Sequence, residues 1–84
     1  MNPTSSLFIV LQQVEPSTWC VVRRRLQDGR PTFASRVATA RPYDAACRAA
    51  LHVAKAENLR LAVQAAGAEL RPFDPQRDMR EPRP

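Results

Sequence analysis

This 84-residue chain contains only two glycines and one histidine, and many active sites depend on these two residue types. A phosphate-binding loop needs several glycines, because the backbone must come close to the ligand. The one histidine, His52, has no serine, cysteine or carboxylate at an offset typical of a catalytic triad, and it belongs to no cluster of metal ligands. We therefore expect no catalytic residue, no metal site and no cofactor, and we predict that the protein is not an enzyme.

Cysteines and long apolar runs are also scarce. Cys20 and Cys47 lie far apart and form no C-x-x-C motif, so we expect two reduced thiols in the core, with a disulfide between them as the alternative. The longest apolar run, Leu7 to Leu11, is much shorter than the roughly 20 residues of a membrane span. No basic residue precedes this run and no small-residue cleavage site follows it. We expect a cytoplasmic protein with no membrane partner.

Arginine, in contrast, is abundant. Twelve arginines and one lysine outweigh eight acidic residues and give a formal net charge of +5. A basic protein favours anionic partners such as DNA or RNA, because binding releases counterions and the positive field steers association. Arginine, alanine and proline are also frequent in proteins from GC-rich genomes, so the composition indicates a nucleic-acid partner without requiring one.

The length suits one domain with a thin core, since so short a chain buries only about 60% of the surface that it exposes when unfolded. We expect a flexible N-terminus over residues 1–6 and a single folded domain over residues 7–70. Residues 71–84 combine four prolines with alternating charges. Such a segment buries too little apolar surface to offset its ordering entropy, so we predict a disordered tail rich in proline and arginine.

Three strands are predicted before the helix, over residues 7–14, 18–26 and 32–39. Asp28-Gly29 lies between the second and the third and favours the positive φ values of a type I′ turn. With these two residues as the loop, the pairs on one face are Arg25 with Thr32, Arg23 with Ala34, Val21 with Arg36, and Trp19 with Ala38. The opposite face, which we expect to pack against the helix, carries Cys20, Val22, Phe33 and Val37.

One helix is predicted over residues 43–56, where apolar side chains recur at the helical spacing. Thr39 is the expected N-cap, and Asn58 is suited to ending the helix because it tolerates the left-handed conformation. Leu59 to Ala66 alternates as a strand does, although its residue types also suit a second helix. We favour the strand, with Gly67 leading into a short strand through Leu70.

The predicted fold class is therefore α+β, with an antiparallel sheet of three to five strands packed on one α-helix in the order β-β-β-α-β. Trp19-Cys20-Val21, Thr39, the helix alanines and Gly67 lie at corresponding points of this order. In these features the chain resembles small bacterial domains of unknown function that carry a W-x-V strand, a T-x-x-x-A helix start and a terminal hairpin centred on glycine. The resemblance implies a fold and no activity.

A looser resemblance is to folds of the double-stranded-RNA-binding type, which also lay a helix on a hairpin sheet. Arg41-Pro42-Tyr43 stands where those domains have a lysine-rich helix start. This departure puts RNA binding by their mode in doubt.

The candidate binding surface is the hairpin face that carries Trp19, Arg23, Arg25 and Arg36. Guanidinium groups contact phosphates in a bidentate way and an exposed indole stacks on an unpaired base. We predict a small nucleic-acid-binding or regulatory protein that uses this face. The alternative is a protein-interaction module, an inhibitor or accessory factor of the type found in phages and plasmids, whose basic face meets an acidic protein surface.

Self-association is also predicted. Leu7 to Leu11 is apolar at both parities, whereas one helix covers only one side of a sheet. We therefore expect a homodimer formed through this strand, with Phe8, Ile9 and Val10 at the interface.

Overall fold

The computed structural model describes residues 6–79, apart from the side chain of Ala40. The main elements are strands β1 (Ser6–Glu15), β2 (Thr18–Gln27) and β3 (Arg30–Arg41), helix α1 (Tyr43–Glu57) and strand β4 (Leu61–Gln64). Strand β5 (Arg71–Pro72) and the one-turn helix α2 (Pro75–Asp78) follow. The five strands form one sheet in the order β3-β2-β1-β4-β5, so the α+β fold class and the β-β-β-α-β order are confirmed.

The sheet differs from the prediction in one pairing. Strand β4 runs parallel to β1, while the other neighbouring pairs are antiparallel. Helix α1 makes this parallel pairing possible, because it returns the chain across the sheet before β4 begins. The segment after the helix is thus a strand, as favoured from its alternation, and it covers Leu61 to Gln64.

The hairpin turn forms where the sequence predicts it. Asp28 and Gly29 both have positive φ values, 53° and 78°, as a type I′ turn requires. Arg25 pairs with Thr32 as expected. Beyond that pair the register shifts at irregularities, so that Arg23 lies opposite Ser35 and Arg36 opposite Val22.

Helix α1 begins later than its predicted N-cap. Thr39 is part of β3, which continues to Arg41, and Pro42 takes the cap position without a side-chain hydrogen bond. Proline suits this place because the N–H that it lacks would have no partner within the helix. At the other end Asn58 adopts the left-handed conformation with φ 57°, and its backbone N–H donates to the carbonyl of Lys55 at 3.2 Å.

The main core lies between α1 and the sheet. The residues that the helix buries are mostly small, and they pack on Ile9, Leu11, Val21 and Val63 from three strands. Because alanine and cysteine project only a short distance from the helix, α1 lies close to the sheet. The helix side of β2 therefore carries Trp19 and Val21, and the predicted assignment of Cys20, Val22 and Phe33 to that side is wrong.

A second, smaller core lies on the outer face, defined here as the sheet face opposite α1. Val10, Cys20, Val22 and Ala62 are buried there, and Phe8 and Leu70 pack against them. Cys20 and Cys47 are both buried and free. They lie on opposite sides of the sheet, which contradicts the alternative of a disulfide between them.

Residues 71–79, which belong to the predicted tail, form β5 and α2 and contact the rest of the domain. Arg71 and Asp78 form an ion pair in which Arg71 Nη1 donates to Asp78 Oδ2 at 2.9 Å. Asp78 also accepts from the Asp74 backbone N–H at 2.7 Å, and Tyr43 donates its hydroxyl proton to the Asp78 carbonyl. Residues 80–84 of the predicted tail, and residues 1–5 of the predicted flexible N-terminus, lie outside the described residues.

Segment 71–79 is therefore held against the domain by polar contacts and not by a large apolar surface. Asp78 is 3% exposed, yet the Arg71 guanidinium and the Asp74 N–H lower the pKa of its carboxyl group from the ordinary value. A charged carboxylate is thus the form that the fold stabilises. Among residues 6–79, no helix is long and apolar enough to span a membrane.

We predict that Asp78→Asn lowers the free energy of unfolding by about 1–2 kcal/mol near pH 7, because it removes charge-assisted hydrogen bonds from a half-exposed partner. The lowered pKa of Asp78 means that its stabilisation is complete above the ordinary carboxyl pKa and is lost as the pH falls below about 4. The difference between wild type and variant in urea unfolding should shrink over that acid range. Glu69→Gln, at an exposed carboxylate, is the control, and an equal effect of both variants would contradict the prediction.

Candidate nucleic-acid interface

The structure separates the four residues predicted to form one binding face. Trp19 packs edge-on against Tyr43, with ring centroids 4.9 Å apart, and belongs to the helix-side core. Arg23 forms an ion pair with Glu57 near the end of α1 and donates to the Ser35 hydroxyl at 2.8 Å. Two of the four residues are therefore occupied by contacts within the fold.

The other two predicted residues are exposed but lie on different surfaces. Arg25 is close to the hairpin turn, and Arg36 lies opposite Val22 on the outer face. The shifts in the β2–β3 register cause this separation, because each shift changes which residues of β3 share a face with a given residue of β2.

The hairpin formed by β2 and β3 nevertheless concentrates the positive charge of the chain. Residues 18–41 hold six arginines and one acidic residue, Asp28, a surplus that equals the whole formal charge of +5. The other residues carry seven basic and seven acidic side chains and are balanced. We call residues 18–41 the basic hairpin.

Much of the basic hairpin is accessible to a partner. Helix α1 ends beside Arg23, and every residue from 25 to 34 is exposed. The side chains of Arg25, Arg30, Arg36 and Arg41 are exposed and make no hydrogen bond or ion pair with the described part of the chain. Three of these arginines lie along β3, which spans about 35 Å at the usual rise of a strand.

Two residues of this surface were missed from the sequence. Phe33 is 60% exposed, and its partner across the β2–β3 pair is Arg24. Arg24 in turn lies opposite Phe8 on β1, so Phe8, Arg24 and Phe33 form one row across three strands. This row lies on the outer face, where Phe8 borders the smaller core. Counting residues outward from the Asp28-Gly29 turn pairs Phe33 with Arg24 and would have indicated this row. Phe33 was instead expected on the face that packs against the helix.

Arg24 has an unusual environment. Its Nη2 donates to Gln12 Oε1 at 2.9 Å, while its Nε is buried without a hydrogen-bond partner. It is the one buried side-chain nitrogen or oxygen without a partner within residues 6–79. Next to it lies a pocket of about 220 Å³, which is lined by Arg24, Pro31, Gln64 and Leu70.

Two of the three residues of the predicted dimer interface are buried in this fold. Strand β1 is paired with β2 on one side and with β4 on the other, so it is not an edge strand over residues 9–12. Ile9 and Val10 are fully buried, under α1 and in the outer-face core respectively. Phe8 is half-buried beside that core. Ile9 and Val10 therefore have no exposed surface in this fold to offer a second copy.

A short part of β1 does have an open edge. Strand β4 begins opposite Ile9, whose N–H donates to the Arg60 carbonyl at 2.8 Å. Because backbone groups alternate in direction along a strand, the N–H and C=O of Leu7 point to the same side, and no described strand pairs with them there. A mostly apolar groove of about 630 Å³ lies beside this edge, between Phe8, Leu26, Leu59 and Leu70.

A third groove, of about 450 Å³, lies between α1 and β3. Arg41, Arg48 and His52 border it, and its other lining residues are alanines and valines. His52 is exposed on the helix. No group of three or more histidine, cysteine or acidic side chains in residues 6–79 is arranged to hold a metal ion.

No protein-family model, curated protein or solved structure matches this chain. The resemblance to small bacterial hairpin-and-helix domains therefore stays a prediction. Any functional assignment has to come from the surfaces described above.

Proposed function

We propose that the protein is a non-enzymatic nucleic-acid-binding protein that contacts phosphates through the basic hairpin. The observation that carries this proposal is that residues 18–41 hold a charge surplus equal to that of the whole chain. Non-specific affinity for nucleic acid depends on such clustered cations, because each phosphate that they neutralise releases counterions.

The position of the arginines supports phosphate contacts. Arg25 and Arg30 lie next to the turn, and Arg36 and Arg41 follow along β3. Their guanidinium groups are exposed, so they approach a phosphate without first breaking a contact within the fold. Arg23, by contrast, would have to give up Glu57. The binding residues that we propose are therefore Arg25, Arg30, Arg36 and Arg41 in place of Trp19 and Arg23.

A second candidate function, a protein-interaction module, is favoured by the open edge at Leu7. An extended peptide adds to a sheet through the backbone groups of an unpaired edge, while neighbouring pockets take its side chains. Here the unpaired groups of Leu7 lie directly beside the apolar groove. In this reading the partner is a protein segment with apolar side chains.

We predict that binding to nucleic acid falls steeply with salt. Four phosphate contacts give a log–log slope of about −3, since each contact contributes about 0.7–0.9. Fluorescence anisotropy with labelled DNA and RNA between about 50 and 200 mM salt measures this slope. The double variant Arg25→Gln/Arg36→Gln should reduce its magnitude by about 1.5. The control Arg77→Gln, which removes one exposed charge from α2, should leave the slope unchanged.

The absence of binding to any DNA or RNA at about 50 mM salt would refute the first candidate function. Equal losses from Arg77→Gln and from Arg25→Gln would show that total charge, and not the basic hairpin, determines the affinity.

The second candidate makes a separate prediction about Leu7→Pro. Proline lacks an N–H, and it is tolerated in a strand where that N–H points away from the neighbouring strand. The variant should therefore keep its circular-dichroism spectrum but fail to bind a strand-adding partner. Affinity purification from nuclease-treated lysate should recover one stoichiometric protein with wild type and with Leu7→Ala, and none with Leu7→Pro. Recovery of the same protein with Leu7→Pro would contradict strand addition.

A further inference from the structure

The outer face of the basic hairpin combines an exposed aromatic ring with an arginine that has one unsatisfied hydrogen-bond donor. Phe33 is more exposed than Val14, Leu26 or Met79, although it lies within the paired part of β3. Its cross-strand neighbour is Arg24, and strands lie about 4.8 Å apart, so the two side chains are immediate neighbours. An exposed ring beside an arginine is the pairing on which unpaired bases stack.

Among residues 6–79, no acidic side chain forms an ion pair with Arg24. Its Nη2 donates to the neutral amide oxygen of Gln12, and its buried Nε has no acceptor. None of the residues that line the adjacent pocket is acidic. Arginine has five N–H donors in a fixed planar arrangement, so this guanidinium is suited to a ligand rich in acceptors.

The pocket beside Arg24 has the size and chemistry of a site for one planar group. Its volume of about 220 Å³ lies below the roughly 300–1,000 Å³ of pockets for drug-sized ligands. Pro31 and Leu70 supply apolar walls, and Arg24 and Gln64 supply polar groups. The Gln64 Nε2 donates weakly to the Ala68 carbonyl at 3.4 Å, so the amide group is only lightly constrained.

We infer that this outer face binds single-stranded nucleic acid, with one base stacked on Phe33 and the neighbouring base in the pocket at Arg24 and Gln64. The inference rests on the proposed nucleic-acid function and names its substrate class. Bases in a duplex are stacked and paired, so neither their faces nor their Watson–Crick edges reach a sheet surface, whereas those of an unpaired strand do. Arg36, which lies on the same face opposite Val22, contacts a phosphate of the same strand.

The preference for single strands distinguishes this inference from phosphate binding alone. A duplex has the higher charge density, so a surface that binds only phosphates favours duplex over single strand. We expect the opposite order in anisotropy measurements with a single strand and a duplex of equal length. An oligomer of abasic residues keeps the phosphates and lacks the bases. It should bind wild-type protein about 5- to 100-fold more weakly than the normal single strand, given the usual contribution of one stacked base.

Variants at two positions test the assigned residues. Phe33→Leu keeps an apolar side chain but removes the ring, and it should weaken single-strand binding about 5- to 100-fold with little effect on duplex binding. Phe33→Tyr keeps the ring and should preserve affinity. Arg24→Met removes the buried donor that has no partner, so its melting temperature should equal or exceed that of wild type while its single-strand affinity falls.

Each outcome has a distinct meaning. A duplex that binds at least as tightly as the single strand, together with an unchanged affinity for the abasic oligomer, would overturn this inference and leave the phosphate-binding proposal intact. An unchanged single-strand affinity in both Phe33→Leu and Arg24→Met would also overturn it. The absence of binding to every oligomer would overturn the proposed function itself.

Discussion

The burial of strand β1 on both of its faces is the constraint on which the rest of this structure depends. Ile9 and Leu11 are fully buried under α1, and Val10 between them is fully buried on the outer face. Each such side chain contributes about 1.5–3 kcal/mol when it is removed from water. A strand of this kind has to lie inside the sheet, and β1 does so because β2 and β4 pair with its two edges. The two cores follow from this arrangement.

The same constraint explains what could be predicted from the sequence and what could not. The turn at Asp28-Gly29 and the end of the helix at Asn58 depend on local backbone preferences, and both were predicted correctly. The faces of β2 depend on its partners, because Trp19 and Val21 at one parity are as apolar as Cys20 and Val22 at the other. Alternation along that strand therefore does not determine which side meets the helix.

The candidate site was harder to predict for a related reason. An arginine on a strand is exposed or paired according to residues far away in the chain, as Arg23 and Glu57 show. Arg25 and Arg36 are exposed, as expected, yet the register shifts place them on different surfaces. The contacts of segment 71–79 could not be predicted from composition, because they come from a few specific polar groups around Asp78 and not from apolar residues.

On the outer face, a residue of the proposed binding site also affects the stability of the fold. This face lacks a covering helix, so its core is small. Phe8 and Leu70 pack against this core, and Arg24 lies opposite Phe8 on the neighbouring strand. A buried donor without an acceptor costs about 1–3 kcal/mol, which is a large cost for so thin a core. An apolar residue at position 24 would pack between Phe8 and Phe33 without that cost. Packing alone therefore does not account for Arg24, and the single-stranded ligand that we propose would supply acceptors to its guanidinium group.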